Sequence, residues 1–556
     1  MNQPLQKHQF LLGRLLNLQV LSHSEGFKGF DLPQALQALQ HWREEDLAGL
    51  SQMLKDLEGE ERFNRWKLIF QETAGPLASR TPALPLTLQR VYQQELAGLD
   101  PWLYLAWMQS LVAARLLEQK FGDQDPQVKG LLDGTILGAV DWFFPALGDL
   151  EATLLAQGPG PYRLTGRTPA LVGRYLELNH LKTLFLVLAK LGSPEGEKLG
   201  LFLSAVGASP LVPVRGPVGV GAVDFAQPTE EAQLLEFIDP TCSVLALAAD
   251  QVLLLQSSLC TQACQAALEA GQQKRVQDLE DPKKDMALLY HPLAADQLVE
   301  IKGLAEGLNG AVLQIAFYQD CLSQAKPGQE EYFSDLLELY RTVLKVYAGK
   351  HVPQALLSAV KLTGNDRLEL LDGLQISGLV GLLGGSDLDW CARFVTEVLP
   401  RNEGRAFASL FKEFEQVSRL AAKTGGLKET IGIFTDFAGG LFLLVNDLWN
   451  PEAGKSAAAL VNARTLVDLF GDMILAYLLI RQAYESELWL AEQGANFFHL
   501  GQDAVQNPDL RPYHNRIVLA ERFAIQHLAR QEGQIRVMQR NLAPALNGLL
   551  ESEGKE

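Results

Sequence analysis

The chain contains little cysteine and no long run of charge of one sign. Five cysteines in 556 residues give an odd count, which fits a reducing compartment better than a framework of disulfides. Acidic residues outnumber basic ones by 66 to 48, and no run of five basic residues offsets the net charge of -18. A field of that sign repels phosphate backbones and anionic headgroups, so the sequence argues against nucleic-acid binding.

Two of the cysteines, Cys260 and Cys264, are four residues apart and are expected on one face of a helix. A metal centre there would need further cysteine or histidine ligands, and the nearest histidine in the sequence is His291. We therefore expect buried thiols and no metal site.

Long uninterrupted apolar stretches are also missing. Residues 1–21 include lysine, histidine and arginine at polar spacing, so they lack the apolar core of a secretory signal. The most apolar stretches, residues 431–445 and 466–480, are interrupted by aspartates before they reach about 18 residues. The sequence therefore predicts a cytoplasmic protein with buried helices and no transmembrane segment.

Helical periodicity dominates what is present. Apolar residues recur at steps of three and four along residues 33–57, 104–121, 244–269, 298–321, 333–347 and 517–542. Residues 158–227 differ, because glycine and proline are dense there and the apolar runs are short, as is typical of strands. The sequence thus predicts a mainly α protein whose extensive β structure is confined to a small central module.

Two glycine motifs resemble phosphate-binding loops and fail on inspection. Gly454-Lys455-Ser456 resembles the end of such a loop, but Trp449 stands where the first glycine is required. Gly219-Val-Gly221 lies in the β module with no helix behind it to present backbone amides to a phosphate. We interpret the first as a turn before a helix and the second as strand or turn glycines.

The order of helical domain, β module and helical bundle resembles the acyl-CoA dehydrogenases, in particular the larger branch with an additional C-terminal helical domain. The similar segments, in chain order, are residues 162–167, 186–190, 200–203, 266–277, 291–292, 302–307, 317–320 and 471–483. The resemblance implies an acyl-CoA dehydrogenase-like fold with a helical domain over residues 1–140, a reduced β-barrel over 141–232, a helical bundle over 233–398 and an additional helical domain over 399–556.

The family's reaction needs a carboxylate base, a glutamate in the motif Tyr-Glu-Gly-Thr, and its place here depends on register. Counting from the neighbouring similar segments places residues 383–386 on the motif, with Gly384 at the position of the base. A second register places residues 399–404 there and makes Glu403 the base, but it requires a long insertion and a long deletion. Glu403 could instead be a solvated loop carboxylate between Arg401 and Arg405.

In the same comparison, the polar residues that contact the flavin in the family are mostly replaced by apolar residues. Residues 141–149 stand where the family has polar contacts to the isoalloxazine edge, and Phe143, Phe144 and Pro145 predict a crowded site there. The next matching strand, residues 169–173, has no hydroxyl side chain. We therefore expect no bound cofactor.

Two charged positions complete the comparison with the family. Asp250 stands where the family has an arginine at the start of the bundle. Arg275 stands where the family has an arginine that faces the flavin diphosphate. The alternative interpretation is a surface arginine at a helix end, where it interacts favourably with the helix dipole.

The resemblance therefore implies an acyl-CoA dehydrogenase-like protein without catalytic activity. It would act as an interaction partner or an acyl-CoA-binding subunit in fatty acyl-CoA metabolism, in a homo-oligomer or a hetero-oligomer with an active paralogue. The alternative is an active FAD-dependent acyl-CoA dehydrogenase that uses Glu403 as its base.

Overall fold

The structure is a computed structural model of the 556-residue chain. It describes residues 7, 9–23, 27–28, 30–49, 61, 84–132, 135–140, 154–157, 163–171, 182–193, 196–206, 211–213, 220–225, 232–237, 243–278, 283–364, 367–381, 383–448, 456–494 and 507–538.

The described helices are numbered here in chain order. They are α1 (Gln9–Leu15), α2 (Leu32–His41), α3 (Leu86–Leu99), α4 (Pro101–Phe121), α5 (Pro126–Leu132), α6 (Ser243–Gln273), α7 (Pro292–Ser323), α8 (Glu330–Thr363), α9 (Leu368–Gly381), α10 (Asp387–Arg393), α11 (Arg401–Ala421), α12 (Lys428–Leu448), α13 (Ser456–Val461), α14 (Ala463–Glu492), α15 (Arg511–Phe523) and α16 (Ala529–Met538). Helix α1 is π-helical, and π-helical turns extend α2, α10 and α15 over Trp42–Leu47, Phe394–Val398 and Ala524–Leu528.

The chain divides into two compact units, each built from segments that are far apart in sequence. The unit that we call the C-terminal unit contains Met1–Leu18, Cys260–Leu370 and Trp390–Glu556. The other, which we call the β unit, contains Gln19–Leu259 and Leu371–Asp389. The division into four consecutive domains stays a prediction.

Helix α4 shows how local sequence signals set the ends of a helix. The Asp100 side chain accepts hydrogen bonds from the backbone N–H groups of Trp102 and Leu103, both at 3.1 Å, and Pro101 occupies the first helical position. Gly122 ends the helix with a φ of 86°, a conformation that glycine adopts without steric cost. The helix therefore begins three residues before the predicted Tyr104 and ends at the predicted Phe121.

The β unit contains one eight-stranded sheet. Its strands are β1 (Ile136–Val140), β2 (Leu154–Gln157), β3 (Arg163–Leu171), β4 (Lys182–Ser193), β5 (Gly196–Val206), β6 (Leu211–Pro213), β7 (Val220–Phe225) and β8 (Gln233–Phe237). The order is β6-β7-β3-β2-β4-β5-β8, and β1 pairs with β4. Both β1 and β2 run parallel to β4, whereas the other pairs are antiparallel.

The centre of the sheet is the hairpin of β4 and β5, which pairs from Thr183 opposite Val206 to Ser193 opposite Gly196. Leu184 and Leu186 on β4 and Phe202 on β5 are completely buried. This continuous apolar pattern is expected for strands that are covered on both faces.

The strands predicted from residues 158–227 are present as β3 to β7. The sheet also includes β1, β2 and β8, which lie outside residues 158–227, and a separate two-stranded hairpin is formed by β9 (Arg275–Gln277) and β10 (Asp285–Ala287). Strand β1 lies against α4, where Gly138 has no side chain to clash with Ser110 and donates its N–H to Ser110 Oγ at 2.9 Å. The prediction of a mainly α protein with a small β module is confirmed.

The core of the C-terminal unit contains α14, which touches α7, α8 and α15 at close range. At Gly471 an added Cβ would overlap the ring of Tyr347 on α8, and at Gly307 of α7 it would lie 2.8 Å from Leu475. All residues from 466 to 480 are buried. The prediction of a buried helix is correct for this stretch.

Among the described residues one helix, α12, has the length and apolar composition of a membrane span. Within its most apolar window 33% of the residues are buried in the protein. A core helix of a soluble protein also meets this criterion, so a single helix of this kind is weak evidence for a membrane.

The burial predicted for Cys260 and Cys264 is confirmed. Cys260 and Cys264 are buried, and burial raises the pKa of Cys264 to about 11. In the described part of the chain no group of three histidine, cysteine, aspartate or glutamate side chains could hold a metal. Ser456 begins α13 and Gly221 pairs within the sheet, whereas Cys242 and residues 449–455 lie outside the described residues.

Candidate functional site

Gly384 lies in a tight turn between α9 and α10 in the β unit. The φ angles of Gly384 and Gly385 are 75° and 102°, in the left-handed region that glycine favours. Gly384 is buried, and a Cβ built on it would lie 3.2 Å from the Cβ of Ala248 on α6. A carboxylate side chain at residue 384 would therefore need both a strained backbone and a displacement of Ala248.

The turn ends in a capping box that fixes the start of α10. Ser386 Oγ donates to Asp389 Oδ2 at 2.6 Å and accepts the backbone N–H of Asp389 at 3.2 Å. Asp387 and Asp389 also place negative charge at the positive end of the helix dipole. The local sequence therefore encodes a structural turn, with its nearest carboxylate committed to capping.

Asp250, at the position where the family has an arginine, forms a buried ion pair with an arginine of α3. Arg90 Nη2 lies 3.9 Å from Asp250 Oδ2, and both side chains are almost fully buried. Arg90 Nη1 also donates to Gln93 Oε1 at 2.7 Å. Because a buried carboxylate without a partner is costly, the pair explains how a charged residue is tolerated within α6.

Other polar residues of α6 bond to the neighbouring helices. Tyr104 of α4 donates its hydroxyl to Gln251 Oε1 at 2.9 Å, and burial raises the pKa of this tyrosine while Arg90 opposes the shift. Gln256 and Ser377 of α9 bond to each other twice, through Ser377 Oγ to Gln256 Oε1 at 2.6 Å and Gln256 Nε2 to the Ser377 carbonyl at 2.9 Å.

These bonds hold the part of α6 that belongs to the β unit against α3, α4 and α9. Asp250 is the one carboxylate in that part of α6, and its charge is matched by Arg90. A general base must be free to accept a proton from a bound substrate. The arrangement therefore stabilises the helix packing and offers no separate carboxylate on α6 for proton transfer.

Glu403, the alternative base, lies in the C-terminal unit at the start of α11. It is exposed, and Asn402, Glu403 and Gly404 have φ angles of 51°, 58° and 78°, which makes a left-handed turn. Arg405 Nε donates to the buried Asp335 of α8 at 2.5 Å. The Arg401 Nε atom lies 3.9 Å from the other oxygen of Asp335. Both flanking arginines therefore anchor the turn to α8 and leave Glu403 in solvent.

Arg275 begins β9, two residues after α6 ends, and it is exposed. Its cross-strand neighbour is Ala287, and Lys283 and Lys284 on the same hairpin are also exposed. The cationic side chain is thus accessible to an anionic group such as a diphosphate. Its surface position just after the end of α6 fits the alternative as well, and the role of Arg275 stays a prediction.

The described residues that correspond to the family's second flavin strand lie in the middle of the sheet. Pro169, Ala170 and Leu171 of β3 pair with Ala222, Gly221 and Val220 of β7. The absence of flavin contacts from this strand stays a prediction. Phe143, Phe144, Pro145 and residues 172–173 lie outside the described residues.

Comparison with solved structures finds the same fold over nearly the whole chain. Caenorhabditis elegans ACDH-11, in complex with C11-CoA, matches with a TM-score of 0.67 and 13% identity over 94% of this chain and 91% of that chain. A Bacillus anthracis acyl-CoA dehydrogenase complexed with FAD matches with a TM-score of 0.63 and 11% identity over 95% and 91%. The chain has an acyl-CoA dehydrogenase-like fold.

A third structure, Bd2924 in its apo form, matches this fold with a TM-score of 0.59 and 15% identity over 86% of this chain and 96% of that chain. No family model and no curated protein matches the sequence. At these identities the similarity concerns the acyl-CoA dehydrogenase-like fold and leaves the function to be proposed from the residues.

Several residues that carried the acyl-CoA dehydrogenase resemblance in the sequence have packing roles. Gly471 lets α14 approach α8, and Asp472 accepts the Tyr347 hydroxyl at 2.6 Å. Glu306 forms an ion pair with Lys7, and Arg481 donates to the carbonyl of Leu15. In this chain these residues therefore have roles in helix packing.

Sequence reasoning missed Arg90 as the partner of Asp250. A signal was present, because an aspartate among the apolar residues 244–255 requires a cationic or hydrogen-bonding partner when it is buried. The sequence did not say which helix supplies that partner, because the two residues are far apart in the chain.

Proposed function

We propose that this chain is a non-catalytic acyl-CoA dehydrogenase-like protein. It acts as an interaction partner or an acyl-CoA-binding subunit in fatty acyl-CoA metabolism. The observation that carries the proposal is the buried, left-handed Gly384 against Ala248, since the acyl-CoA dehydrogenase register gives this position to the catalytic base. With glycine there, residue 384 supplies no carboxylate to accept the α-proton of a thioester.

The charge pattern of α6 supports the same proposal. Asp250 replaces an arginine, and Arg90 neutralises it within the helix packing. The side chains of Pro169, Ala170 and Leu171 offer no hydrogen bond to a flavin edge. Loss of two or three such bonds, each worth about 1 kcal/mol, weakens binding by about one to two orders of magnitude. The proposed protein therefore contains no flavin in its resting state.

Acyl-CoA is the ligand to test, because ACDH-11, which has the same fold, was determined in complex with C11-CoA. An acyl-CoA-binding subunit would bind the thioester without oxidising it. A pure interaction partner would show no binding of acyl-CoA. Calorimetric titration with acyl-CoAs of several chain lengths therefore distinguishes the binding subunit from the interaction partner.

Turnover with an artificial electron acceptor tests the absence of catalysis. The purified chain should be colourless when it is incubated with FAD and then desalted. In an assay that contains FAD and acyl-CoAs of several lengths, it should show no acyl-CoA oxidation. Gly384→Glu should not create activity, because its backbone is left-handed and Ala248 blocks its Cβ. The proposal is wrong if the wild-type chain turns over.

Glu403→Gln identifies the base if any turnover is seen. Loss of wild-type activity in this variant, with the fold unchanged by circular dichroism, would establish the alternative of an active FAD-dependent dehydrogenase. Glu429→Gln is the matched control, because Glu429 is likewise an exposed glutamate in the first turn of a helix of the C-terminal unit. It should leave any turnover unchanged.

A further inference from the structure

The N-terminal end of the chain belongs to the C-terminal unit, although the β unit follows it directly in sequence. We call Lys7 and residues 9–16 the arm, most of which is the π-helical α1. Its buried apolar side chains are Phe10, Leu11, Leu12, Leu15 and Leu16. The surface that holds the arm, which we call the groove, is made of Glu306 and Gln314 of α7, Arg481, Trp489 and Glu492 of α14, and Tyr513 and Arg516 of α15.

Two ion pairs hold the arm near its ends. Lys7 Nζ lies 3.1 Å from Glu306 Oε2, and Arg14 pairs with Glu492. The arm thus presents two cations to two carboxylates of the groove. This match gives the groove a preference for a segment with that charge spacing.

An aromatic contact anchors the middle of the arm. The ring of Phe10 meets the ring of Tyr513 edge to face at 5.7 Å, and the Arg516 guanidinium lies 4.0 Å above the Phe10 ring. Tyr513 is itself stacked on Trp489 at 3.7 Å. Phe10 therefore enters a preformed site lined by side chains that are held by one another.

The backbone of the arm is also recognised. Arg481 Nη2 donates to the Leu15 carbonyl at 2.5 Å, while its Nη1 donates to Gln314 Oε1 at 2.9 Å. The second bond orients the guanidinium for the first. The groove therefore recognises side chains, charge and main chain of a short segment, as sites for peptide segments do.

The connection between the arm and the β unit contains a left-handed residue. Asn17 is exposed and has a φ of 50°, a conformation that asparagine tolerates better than other residues with a side chain. The β unit begins at Gln19, whose side chain accepts the N–H of Leu32 at the start of α2. A change of the Asn17 dihedral angles would turn the arm away from its own groove. The arm could then make the same contacts with an identical groove.

We propose that the arm is exchangeable between copies of this chain, so that in a dimer the arm of each copy fills the groove of the other. Exchange of an identical segment makes a dimer at low cost, because the contacts of the closed monomer are reused. The proposal does not depend on whether the chain has enzymatic activity.

The charge distribution favours a second copy as the partner. Residues 1–18 contain one lysine, one arginine and no acidic residue, whereas the whole chain has a net charge of -18. The two cations of the arm therefore match the Glu306 and Glu492 carboxylates in the groove of any copy of this chain.

Charge reversal in full-length chains tests the exchange. The arm variant carries Lys7→Glu with Arg14→Glu, and the groove variant carries Glu306→Lys with Glu492→Arg. Neither variant has a matched arm and groove within its own chain. In a mixture, the unchanged basic arm of the groove variant matches the unchanged acidic groove of the arm variant. The acidic arm of the arm variant matches the basic groove of the groove variant. Each matched arm and groove therefore lie on different chains.

Sedimentation velocity with one variant carrying a fluorescent label measures the mixed dimer. We expect the mixture to dimerise at a concentration at least about tenfold lower than either variant alone. A mixture that stays monomeric, or that dimerises no better than the separate variants, overturns the proposal. Circular dichroism of each variant verifies that it is folded before mixing.

A peptide experiment tests the same groove when a charge variant fails to fold. A labelled peptide of residues 1–18 is titrated into a chain that lacks residues 1–17, and fluorescence anisotropy reports binding. The Phe10→Ala peptide should bind at least about tenfold more weakly, because it lacks the ring that meets Tyr513 and Arg516. Absence of binding by the native peptide overturns the proposal.

Discussion

Helices α12 and α14 contain the apolar stretches of residues 431–445 and 466–480, yet the two stretches are buried to different extents. In α14 all residues from 466 to 480 are buried, including the two aspartates that interrupt the stretch. Helix α12 buries one face and exposes the other, which carries Asp436, Gly439, Phe442 and Leu443. Apolar composition alone therefore does not determine whether a helix is surrounded.

The acidic residues explain how α14 is accommodated inside. Asp472 accepts hydrogen bonds from Tyr347 at 2.6 Å and Gln531 at 3.1 Å, and His527 Nδ1 lies 3.3 Å from it. Asp468 pairs with Lys350 at 2.5 Å. On α12, Asp436 is exposed to solvent and needs no such partner. Asp468 and Asp472 are thus accommodated inside because neighbouring helices supply matching groups.

The largest expected difference between the two helices concerns their glycines. Gly471→Ala on α14 places a Cβ in the ring of Tyr347, and we expect a loss of about 3 kcal/mol in the free energy of unfolding. Gly439→Ala on α12 meets no atom within 4 Å and should stabilise the protein by about 0.5–1 kcal/mol through helix propensity. Urea denaturation measures both. Equal effects at the two positions would contradict the comparison.

A smaller difference is expected for the aspartates. Asp472→Ala leaves the buried hydroxyl of Tyr347 without its acceptor, so it should cost about 2 kcal/mol. Asp436→Ala removes an exposed side chain and should change stability by no more than about 0.5 kcal/mol. Asp472→Asn retains an acceptor and should lie between them. Thermal unfolding monitored by circular dichroism ranks the three variants.

Glu487 near the end of α14 gives a pH-dependent prediction. Burial raises the pKa of Glu487 above its usual value near 4.5, and the nearby Thr424 and Gly426 only partly oppose the shift. A raised pKa means that the stability contributed by this group is present below about pH 4.5 and is lost as pH rises through the folded value. Glu487→Gln should therefore gain in Tm relative to wild type between pH 4 and pH 8.

Glu306 is the matched control for that experiment, because its pKa shifts in the opposite direction. Burial would raise the pKa of Glu306, but Lys7, Arg516 and Lys302 together hold it below its usual value. Its contribution is present above about pH 4.5 and is lost as pH falls through the lower folded value. Glu306→Gln should therefore be most destabilising near neutral pH, and a parallel pH trend in the two variants would refute the assignment.

The smallest effect is expected on the exposed face of α12. Leu443 is 62% exposed, so Leu443→Ser should change the Tm of the monomer by no more than the equivalent of about 0.5 kcal/mol. A buried leucine of α14 offers the contrast, since Leu478→Ala should cost about 2–5 kcal/mol. A large loss for Leu443→Ser would mean that this face of α12 is covered in solution.

The short strands show where sequence reasoning stops. Strands β4 and β5 were predicted because each contains a run of apolar residues with high strand propensity. Strands β1, β2 and β8 have four or five residues each, and their identity depends on pairing with β4, β3 and β5. A segment of that length has too little local pattern to be distinguished from a loop or a helix end.

The candidate site was predicted unevenly. The family resemblance placed Gly384 at the position of the base, with Glu403 as the alternative, and Asp250 at the position of an arginine, and these placements stay predictions. The left-handed backbone at Gly384, its contact with Ala248 and the pairing of Asp250 with Arg90 came from the structure. The exposed setting of Glu403 also depends on the turn that Arg401 and Arg405 anchor to Asp335.

The sequence by itself determined the long helices, the caps at Asp100 and Ser386, and the location of most of the sheet. These features depend on periodicity and on hydrogen bonds between residues within a few positions of one another. The tertiary structure decided that α14 is buried all round while α12 is not, that Arg90 neutralises Asp250, and that the arm lies in its groove. Each of these depends on contacts between residues far apart in the chain. Local propensity does not specify which distant side chains come into contact.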